Sequence, residues 1–285
     1  CSGLVGSEMC IRDRFRTSKM KKFFVIGNPI EHSLSPKLHN HWIKSNNLKA
    51  VYDKKKLDIS ELENLIKEVK EKKIDGINVT VPFKNSVIPF LDKLSNEAQK
   101  TQSVNTIHFK DGMVIGHNTD IEGFELAIKH TNYDIIGKNV LILGAGGVSP
   151  SIIVALNNMN VKKILISNRT QSKAENLKKT FNEIEIIKWG TTPDFDMVIN
   201  ATSLGLKKNE NIILDYSKIS SEQFFYDVIY NPSETNFLQS ARKNGNRTEN
   251  GKKMFIYQAQ ASFKIWNNLE PQVDKKVLEL SLIHI

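Results

Sequence analysis

The stretch NVLILGAGGVS, at residues 139–149, decides the fold. Its first half is an uninterrupted apolar run, typical of a strand that is buried on both faces, and its second half is a glycine-rich turn that opens a helix. In this context the backbone N–H groups of the turn and the helix dipole would face the pyrophosphate of a dinucleotide. Ser149 takes the third glycine position of the fingerprint, where a small residue still permits close packing. A glycine turn without a ligand is the alternative interpretation.

The next predicted strand ends in Asn168-Arg169-Thr170, whereas an NAD site would place an acidic residue about 20 residues after the turn. A guanidinium suits a 2′-phosphate and a carboxylate would repel it, so the sequence favours NADP over NAD. The alternative is a solvated arginine in a helix-entry turn. The cofactor-binding residues predicted here are Gly144, Ala145, Gly146, Gly147, Val148, Asn168, Arg169 and Thr170.

Strands and helices alternate on both sides of the glycine turn. Upstream, we predict strands at 22–27, 51–57 and 76–81, helices at 36–47 and 60–73, and a hairpin of strands at 104–109 and 113–117 that turns at Asp111-Gly112. Downstream, we predict strands at 140–143, 163–167, 185–188, 197–200 and 224–228, with helices ending near 159 and at 172–180, 233–244 and 254–268. This order predicts the α/β class, and a length of 285 residues favours two domains.

Composition excludes several classes of protein. The formal charge of +9 is spread over lysines interleaved with acids, without the basic face of a nucleic-acid-binding protein, although small anionic ligands fit it. No apolar run approaches the roughly 18 residues of a membrane span. Both cysteines, Cys1 and Cys10, lie in the first ten residues, so we expect a reducing cytoplasm and no metal site. Residues 1–19 are predicted to be a non-native or disordered leader and residues 281–285 a detached tail.

Four polar clusters precede the glycine turn at predicted strand ends. They are His32-Ser33-Leu34-Ser35-Pro36, Asn78-Val79-Thr80-Val81-Pro82-Phe83-Lys84, Val104-Asn105-Thr106 and Asn118-Thr119-Asp120. Their short hydroxyl and amide groups suit a polyhydroxylated ligand. Each cluster also has a plain structural interpretation: Ser35 as a helix cap before a proline, Thr119 or Asp120 as a cap, and Lys84 as a solvated surface lysine.

Taken in order with the glycine turn, these clusters resemble the shikimate dehydrogenase family. Downstream motifs add to the resemblance, which covers residues 22–280: NATSLG at 200–205, DVIYNP at 227–232 and GKKMFIYQA at 251–259. The resemblance implies reversible reduction of 3-dehydroshikimate to shikimate with NADPH, on the route to chorismate and aromatic amino acids. Hydride would pass between the nicotinamide and the ring carbon that carries the reacting oxygen.

The resemblance also implies roles for particular residues. Lys84 and Asp120 would form the catalytic pair, in which Lys84 handles the proton on the reacting oxygen and Asp120 bonds the lysine and a ligand hydroxyl. The substrate carboxylate would be held by Ser33, Ser35 and Tyr230, and the ring hydroxyls by Asn78, Thr80, Asn105 and Gln258. Further cofactor contacts would come from Asn200, Thr202, Gly205, Val228 and Gly251.

The implied architecture is an N-terminal α/β substrate domain completed by C-terminal helices, with a Rossmann-type NADP domain inserted. Residues 20–118 and 250–280 would form the substrate domain, and residues 119–249 the NADP domain. Three rivals stay open: a quinate/shikimate dehydrogenase that also accepts NAD, a folate-linked methylene dehydrogenase of similar shape, and a non-catalytic NADP-binding sensor. The sequence also leaves open whether the chain is a monomer or a homodimer.

Overall fold

The computed structural model describes residues 19–207 and 209–279, so the predicted tail and all but the last residue of the predicted leader at 1–19 lie outside the described residues. The strands are β1 (Lys21–Gly27), β2 (Ala50–Lys56), β3 (Gly76–Val79), β4 (Lys93–Leu94), β5 (Thr106–Lys110), β6 (Met113–His117), β7 (Asn139–Leu143), β8 (Lys163–Ser167), β9 (Glu185–Ile187), β10 (Met197–Asn200), β11 (Phe224–Asp227) and β12 (Arg247–Glu249). The helices are α1 (Ser35–Ser45), α2 (Leu62–Lys70), α3 (Asn96–Thr101), α4 (Asp120–Lys129), α5 (Ser149–Asn158), α6 (Gln171–Thr180), α7 (Asn236–Lys243), α8 (Lys252–Asn267) and α9 (Lys275–Glu279).

The first sheet has the strand order β2-β1-β3-β5-β6-β4. β1 pairs in parallel with β2 and β3, whereas β5 runs antiparallel to both β3 and β6. Asp111 and Gly112 turn the β5–β6 hairpin with φ of 51° and 81°, as a two-residue hairpin turn requires. The carboxyl ends of β1, β3 and β6 and the amino end of β5 therefore meet at one edge, where the polar clusters lie.

The second sheet has the order β12-β11-β10-β7-β8-β9, and its pairs are parallel. The order reverses between β7 and β10, which is the switch point where such sheets bind ligands. The glycine turn follows β7 and therefore lies at this switch point. Leu141 and Ile142 are fully buried on opposite faces of the sheet, as the uninterrupted apolar run predicts.

Helices α4 and α8 join the two sheets. Gly123 of α4 lies against α8, and a Cβ atom there would come within 2.9 Å of the Gln258 backbone nitrogen. α8 also covers the first sheet, where Phe263 packs in one apolar cluster with Phe23 and Trp42. The α/β class, the C-terminal completion of the N-terminal half and the Rossmann-type second half are thus confirmed. None of the described helices is both long and apolar enough to cross a membrane.

Several predicted boundaries were wrong by a few residues, and some elements were missed. Strand β3 ends at Val79 and not at residue 81, because the chain turns after it, with the Phe83 N–H bonded to the Thr80 carbonyl oxygen at 2.9 Å. The C-terminal part of the predicted helix at 233–244 forms α7, which begins only at Asn236 after the cap Thr235. The missed elements are β4, α3, β12 and α9.

Candidate active site

Lys84 is carried by a tight turn that follows β3. The Phe83 N–H donates to the Thr80 carbonyl oxygen at 2.9 Å, and the Lys84 carbonyl oxygen accepts from the Val104 N–H at 2.9 Å. Phe83 itself is buried in the apolar core. The backbone is thus anchored on both sides of Lys84, whose side chain is only 12% exposed. The interpretation of Lys84 as a solvated surface lysine is wrong.

The Lys84 ammonium donates to Oδ2 of Asp120 in an ion pair almost withdrawn from water, with 8% of the Asp120 side chain exposed. Asp120 is the first residue of α4, where the helix dipole stabilises a carboxylate. Its Oδ1 accepts from Asn105 Nδ2 at 2.9 Å, and its N–H donates to Asn118 Oδ1 at 3.1 Å. A buried carboxylate and a buried ammonium are tolerated in this geometry because each is the other's partner.

The capping interpretations are wrong as well. α1 begins at Ser35 itself and follows Leu34 without a side-chain cap bond, while Ser33 Oγ accepts from the Ser35 N–H at 3.3 Å. Thr119 precedes α4 and makes no side-chain cap bond either. Ser35 and Thr119 therefore do not cap these helices, and the first helical N–H groups are bonded by Ser33 and Asn118 instead.

Two of the predicted carboxylate-binding segments pack against the same apolar cluster, through Tyr230 and through Leu34 between the two serines. Tyr230 follows β11, and its ring stacks on Phe255 of α8 with centroids 4.4 Å apart. Burial raises the pKa of Tyr230 to about 12, opposed by a hydrogen bond from the Leu34 backbone between the two predicted serines. Tyr230 is thus a neutral donor beside Ser33 and Ser35 at neutral pH.

The predicted hydroxyl-binding amides lie in a buried hydrogen-bond network. Asn105 Nδ2 bonds Asp120 and Thr119 Oγ1, each at 2.9 Å, and lies 3.5 Å from Gln258 Oε1. Asn105 Oδ1 accepts from the Thr119 N–H at 2.8 Å. Gln258 also donates to the Phe255 carbonyl oxygen at 2.8 Å. The amides of α8 and the first sheet thus meet at the charged pair.

Thr80 lies at the same edge but outside this network. Its methyl group packs against Gly27, where a Cβ atom would come within 2.6 Å. Its N–H donates to the Ile26 carbonyl oxygen at 2.9 Å, which continues the approach of β3 to β1. The position of Thr80 suits a ligand contact, and the close approach of the backbone explains the glycine opposite it.

Sequence reasoning missed four buried members of the network: Tyr52, Thr106, Thr119 and Ser262. Ser262 lies four residues after Gln258 on α8, a spacing that places both on one helix face and that could have identified it. Thr106 and Thr119 fall inside the quoted clusters, but nothing in the sequence separates them from their neighbours. Tyr52 gives no local signal, because its partner lies on another strand.

The glycine turn is held by its own backbone conformation and by hydrogen bonds within it. Gly144 has φ of 113°, and a Cβ atom there would lie 2.8 Å from the Ala201 carbonyl oxygen, so only glycine fits. Ser149 Oγ accepts from the Gly146 N–H at 3.1 Å and donates to the Gly144 carbonyl oxygen at 3.0 Å. The imperfect match to the fingerprint therefore stabilises the turn.

The turn fits a pyrophosphate. The N–H groups of Gly147 and Val148 have no acceptor among the described residues, and they lie at the amino end of α5. Free amides at a helix amino end are the usual means of binding phosphate. The Ala145 N–H is instead held by Asn168 Oδ1 at 3.0 Å. Asn168 thus shapes the turn, while Arg169 and Thr170 beyond it are exposed and available for a 2′-phosphate.

The residues predicted to contact the cofactor further along form a second buried cluster. Asn200 donates to Asp227 Oδ1 at 2.9 Å and to the Leu204 carbonyl oxygen at 3.0 Å, and its Oδ1 accepts from the Thr202 N–H at 3.0 Å. Asp227 also accepts from Thr235 Oγ1 at 2.6 Å. The hydrogen bonds of the Asn200 side chain are therefore made within the protein, where they fix the loop that follows β10.

Two glycines hold backbones close beside this cluster. A Cβ atom on Gly251 would lie 1.9 Å from the Val228 carbonyl oxygen, so any side chain there would separate α8 from β11. Gly205 has φ of 114° and packs against Thr235. Both predicted cofactor glycines are thus required by close approach.

The two halves of the site face each other. The Cβ position of Gly147 lies 4.0 Å from Cδ of Lys84, and Ser103 Oγ donates to the Gly147 carbonyl oxygen at 3.2 Å. Asn118 Nδ2 donates to Ser151 Oγ of α5 at 2.8 Å. A phosphate-binding turn at a switch point, set against a lysine–aspartate pair, defines the class: a dinucleotide-dependent dehydrogenase of two α/β units.

Comparison with known proteins narrows the class to a family. Residues 25–107 match the model of the shikimate dehydrogenase substrate binding domain, and residues 125–224 match that of shikimate/quinate 5-dehydrogenase. The chain therefore belongs to the shikimate dehydrogenase family, as the order of its motifs predicts.

Individual relatives agree with the family models over nearly the whole chain. The NADP(+) shikimate dehydrogenase of Pelagibacter ubique is 59% identical over 260 residues, which are 91% of this chain and 98% of its own. The shikimate dehydrogenase structure of Aquifex aeolicus superposes with a TM-score of 0.85 at 35% identity, covering 94% and 99% of the two chains. The Thermus thermophilus structure, in complex with NADP(H) and shikimate, superposes with a TM-score of 0.83 at 30% identity. The match covers 92% of this chain and 98% of that one.

Proposed function

We propose that this protein interconverts 3-dehydroshikimate and shikimate with NADP. The observation that carries the proposal is the Lys84–Asp120 pair, nine-tenths buried and set against the glycine turn, with 4.0 Å between the Cβ position of Gly147 and Cδ of Lys84. NADPH, when bound, supplies the hydride. The protein must then supply a proton and stabilise the charge that develops on the substrate oxygen.

Lys84 meets both needs. An ammonium beside the reacting oxygen donates a proton during reduction and stabilises negative charge as it develops, and the deprotonated amine accepts the proton in the reverse direction. Asp120 orients the ammonium through Oδ2, while its Oδ1 is held by Asn105. This arrangement keeps the lysine from turning away, and effective proton transfer depends on such positioning.

The substrate contacts are proposed to follow the family pattern. Ser33, Ser35 and Tyr230 bind the carboxylate with neutral donors, whereas Asn78, Thr80, Asn105 and Gln258 bind ring hydroxyls. Most of these side chains sit in the network or next to it, so a ligand that lacks a hydroxyl would leave buried polar groups unpaired. We further propose domain limits of 20–118 with 250–280 and of 119–249, supported by the position of α4 and α8 between the two sheets.

The test assays each of the four combinations of NADP or NAD with shikimate or quinate. Turnover is monitored by the change in nicotinamide absorbance. We expect turnover to be fastest with NADP and shikimate, and methylene-tetrahydrofolate to be inert. Comparable rates with NAD and quinate would support the broader quinate/shikimate enzyme. Binding of NADPH without turnover of shikimate would support the sensor instead.

Arg169 allows the cofactor preference to be tested separately. Because a guanidinium pairs with a 2′-phosphate that NAD lacks, Arg169→Ala should raise the KM for NADP about tenfold or more and leave that for NAD unchanged. Arg242→Ala removes an exposed arginine on α7 and is the matched control. Equal effects on NADP and NAD would reject the assignment of the 2′-phosphate to Arg169.

Two further expectations accompany the proposal, one on cellular location and one on oligomeric state. A cytoplasmic location is supported by the lack of cysteine between Ile11 and Ile285, which leaves that region without disulfides, and by the need for reducing cofactor. The homodimer is tested by sedimentation at assay concentrations, where a monomer would show a mass of 32.4 kDa.

A further inference from the structure

A buried tyrosine outside the family's expected contacts bonds the amide oxygen of Asn78. Tyr52 of β2 is almost fully buried, and its hydroxyl donates to Asn78 Oδ1 at 2.7 Å. The direction of this bond is fixed, because Asn78 Nδ2 lies 3.1 Å from the Asn105 carbonyl oxygen, which can only accept. The amide nitrogen must therefore face Asn105, and the amide oxygen must face Tyr52.

Counting hydrogen-bonding groups shows what Asn78 has left. Its two N–H groups have three acceptors: the Asn105 carbonyl oxygen at 3.1 Å, Thr106 Oγ1 at 3.2 Å and Ser262 Oγ at 3.0 Å. One lone pair of Oδ1 is taken by the Tyr52 hydroxyl. The single function that remains is the second lone pair of Oδ1, so a ligand group that bonds Asn78 must be a donor.

Tyr52 is itself held rigidly from α1. Asn40 pairs with its backbone in both directions: Oδ1 accepts from the Tyr52 N–H at 3.0 Å, and Nδ2 donates to the Tyr52 carbonyl oxygen at 2.7 Å. The Tyr52 ring stacks on the His39 ring with centroids 4.2 Å apart and planes within 2°. Burial lowers the pKa of His39 to about 3, so this stack is neutral at working pH.

The Tyr52 hydroxyl also lies between the two groups of predicted substrate contacts. Burial raises the pKa of Tyr52 well above its ordinary value, and the nearby Ser35 side chain, on the carboxylate side, opposes that rise. Asn78, on the hydroxyl side, is bonded directly. One phenol therefore bonds a member of one group and lies near a member of the other.

We propose that Tyr52 is a positioning residue that holds the Asn78 amide oxygen in place for the ligand. The acceptors around the amide nitrogen leave only that oxygen to receive the ligand, which makes Asn78 selective for a hydroxyl that donates. The inference rests on the proposed function and deepens it. It assigns specificity at this point to a residue that need not touch the reacting atoms. It also gives a reason for the buried contacts that Tyr52 makes with His39 and Asn40.

The test compares Tyr52→Phe with Tyr226→Phe. Both remove one phenolic oxygen from a buried ring, but the Tyr226 hydroxyl has no partner among the described residues. We expect Tyr52→Phe to raise the KM for shikimate about tenfold and to change kcat less than about threefold, as for one lost neutral hydrogen bond. Tyr226→Phe should leave both constants unchanged. Equal effects of the two variants would overturn the proposal.

Coupling to the ligand separates positioning from a general loss of structure. The 4-deoxy and 5-deoxy analogues of shikimate each lack one non-reacting hydroxyl. For the analogue that lacks the hydroxyl held by Asn78, Tyr52→Phe should cost no further affinity, whereas the other analogue should show the full tenfold loss. An equal loss with both analogues would contradict the proposal.

Wild-type protein gives a check that requires no variant. Replacing each of these hydroxyls by fluorine leaves an atom that cannot donate. At the Asn78 position, we expect the fluoro compound to bind as weakly as the deoxy compound. If every fluoro compound bound as tightly as shikimate, the acceptor-only assignment would be wrong. Absence of any shikimate turnover by wild type would instead reject the proposed function.

Discussion

The substrate side and the cofactor side of the site prepare for their ligands by different means. On the substrate side, buried side chains from Lys84 to Tyr52 are linked by hydrogen bonds, and few polar functions are left over. On the cofactor side, the glycine turn has its free groups on the backbone, at Gly147 and Val148. Side chains there, such as Ser149 and Asn168, serve to shape the turn.

This difference predicts different consequences for substitution. An isosteric change on the substrate side alters the chemistry offered to the ligand while the backbone stays in place. A change at the glycine turn acts through backbone shape, because the phosphate-binding groups are present in every residue but must be aimed. Variants on the first side should therefore affect substrate kinetics, and variants on the second should affect cofactor binding.

Among variants that keep Lys84, the largest expected effect is that of Asp120→Asn. The change is isosteric but removes the charge that orients the Lys84 ammonium, so turnover of shikimate should fall about a thousandfold. The dissociation constant of NADPH, measured by fluorescence titration, should stay within about threefold of wild type. A parallel loss of NADPH affinity would show that the two sides are not separable in this way.

The next largest effect is the pH dependence of stability that Asp227 should cause. It tests whether the cofactor side also contains a buried charge that lowers the free energy of unfolding. Burial raises the pKa of Asp227 from its ordinary value of 3.8 to about 6. Between these values the folded protein binds more protons than the unfolded chain, so the free energy of unfolding should fall by about 3 kcal/mol in all as pH rises from roughly 3 to 7. Urea unfolding should show this slope in wild type relative to Asp227→Asn. A difference that does not vary with pH would reject the assignment.

The smallest effect is expected at Ser149. Ser149→Ala removes two hydrogen bonds within the turn, so the KM for NADP should rise about tenfold while the KM for shikimate stays the same. Ser167→Ala is the matched control, since Ser167 is buried and its hydroxyl has no partner among the described residues. If the control raised the KM for NADP equally, the loss could not be ascribed to the turn.

Much of this fold could be predicted because apolar periodicity is a local signal. Strands β8 and β10 have the predicted bounds, since each is an apolar run between polar turns. β4 has only two residues, and β12 at Arg247–Glu249 is a short polar edge strand that pairs only with β11. Such elements are fixed by tertiary pairing and give no period to detect.

The site divides in the same way. The charged pair and the glycine turn were found from motifs, because chemistry and strand ends coincide in the sequence. Tyr52 and Ser262 were missed because their importance lies in contacts with Asn78, which is far from both in the chain. Asn168 stays a predicted cofactor residue, but its bond to the Ala145 N–H could not be predicted, because that bond depends on the path of the turn.

The most direct test of the central claim is the turnover of shikimate by Lys84→Ala, followed by nicotinamide absorbance with NADPH binding measured on the same sample. Removal of the proton-transferring group should reduce kcat about a thousandfold and leave NADPH affinity within about threefold, because the phosphate-binding amides belong to the backbone. Full turnover by Lys84→Ala would contradict the account, since the pair beside the glycine turn would then not carry the reaction.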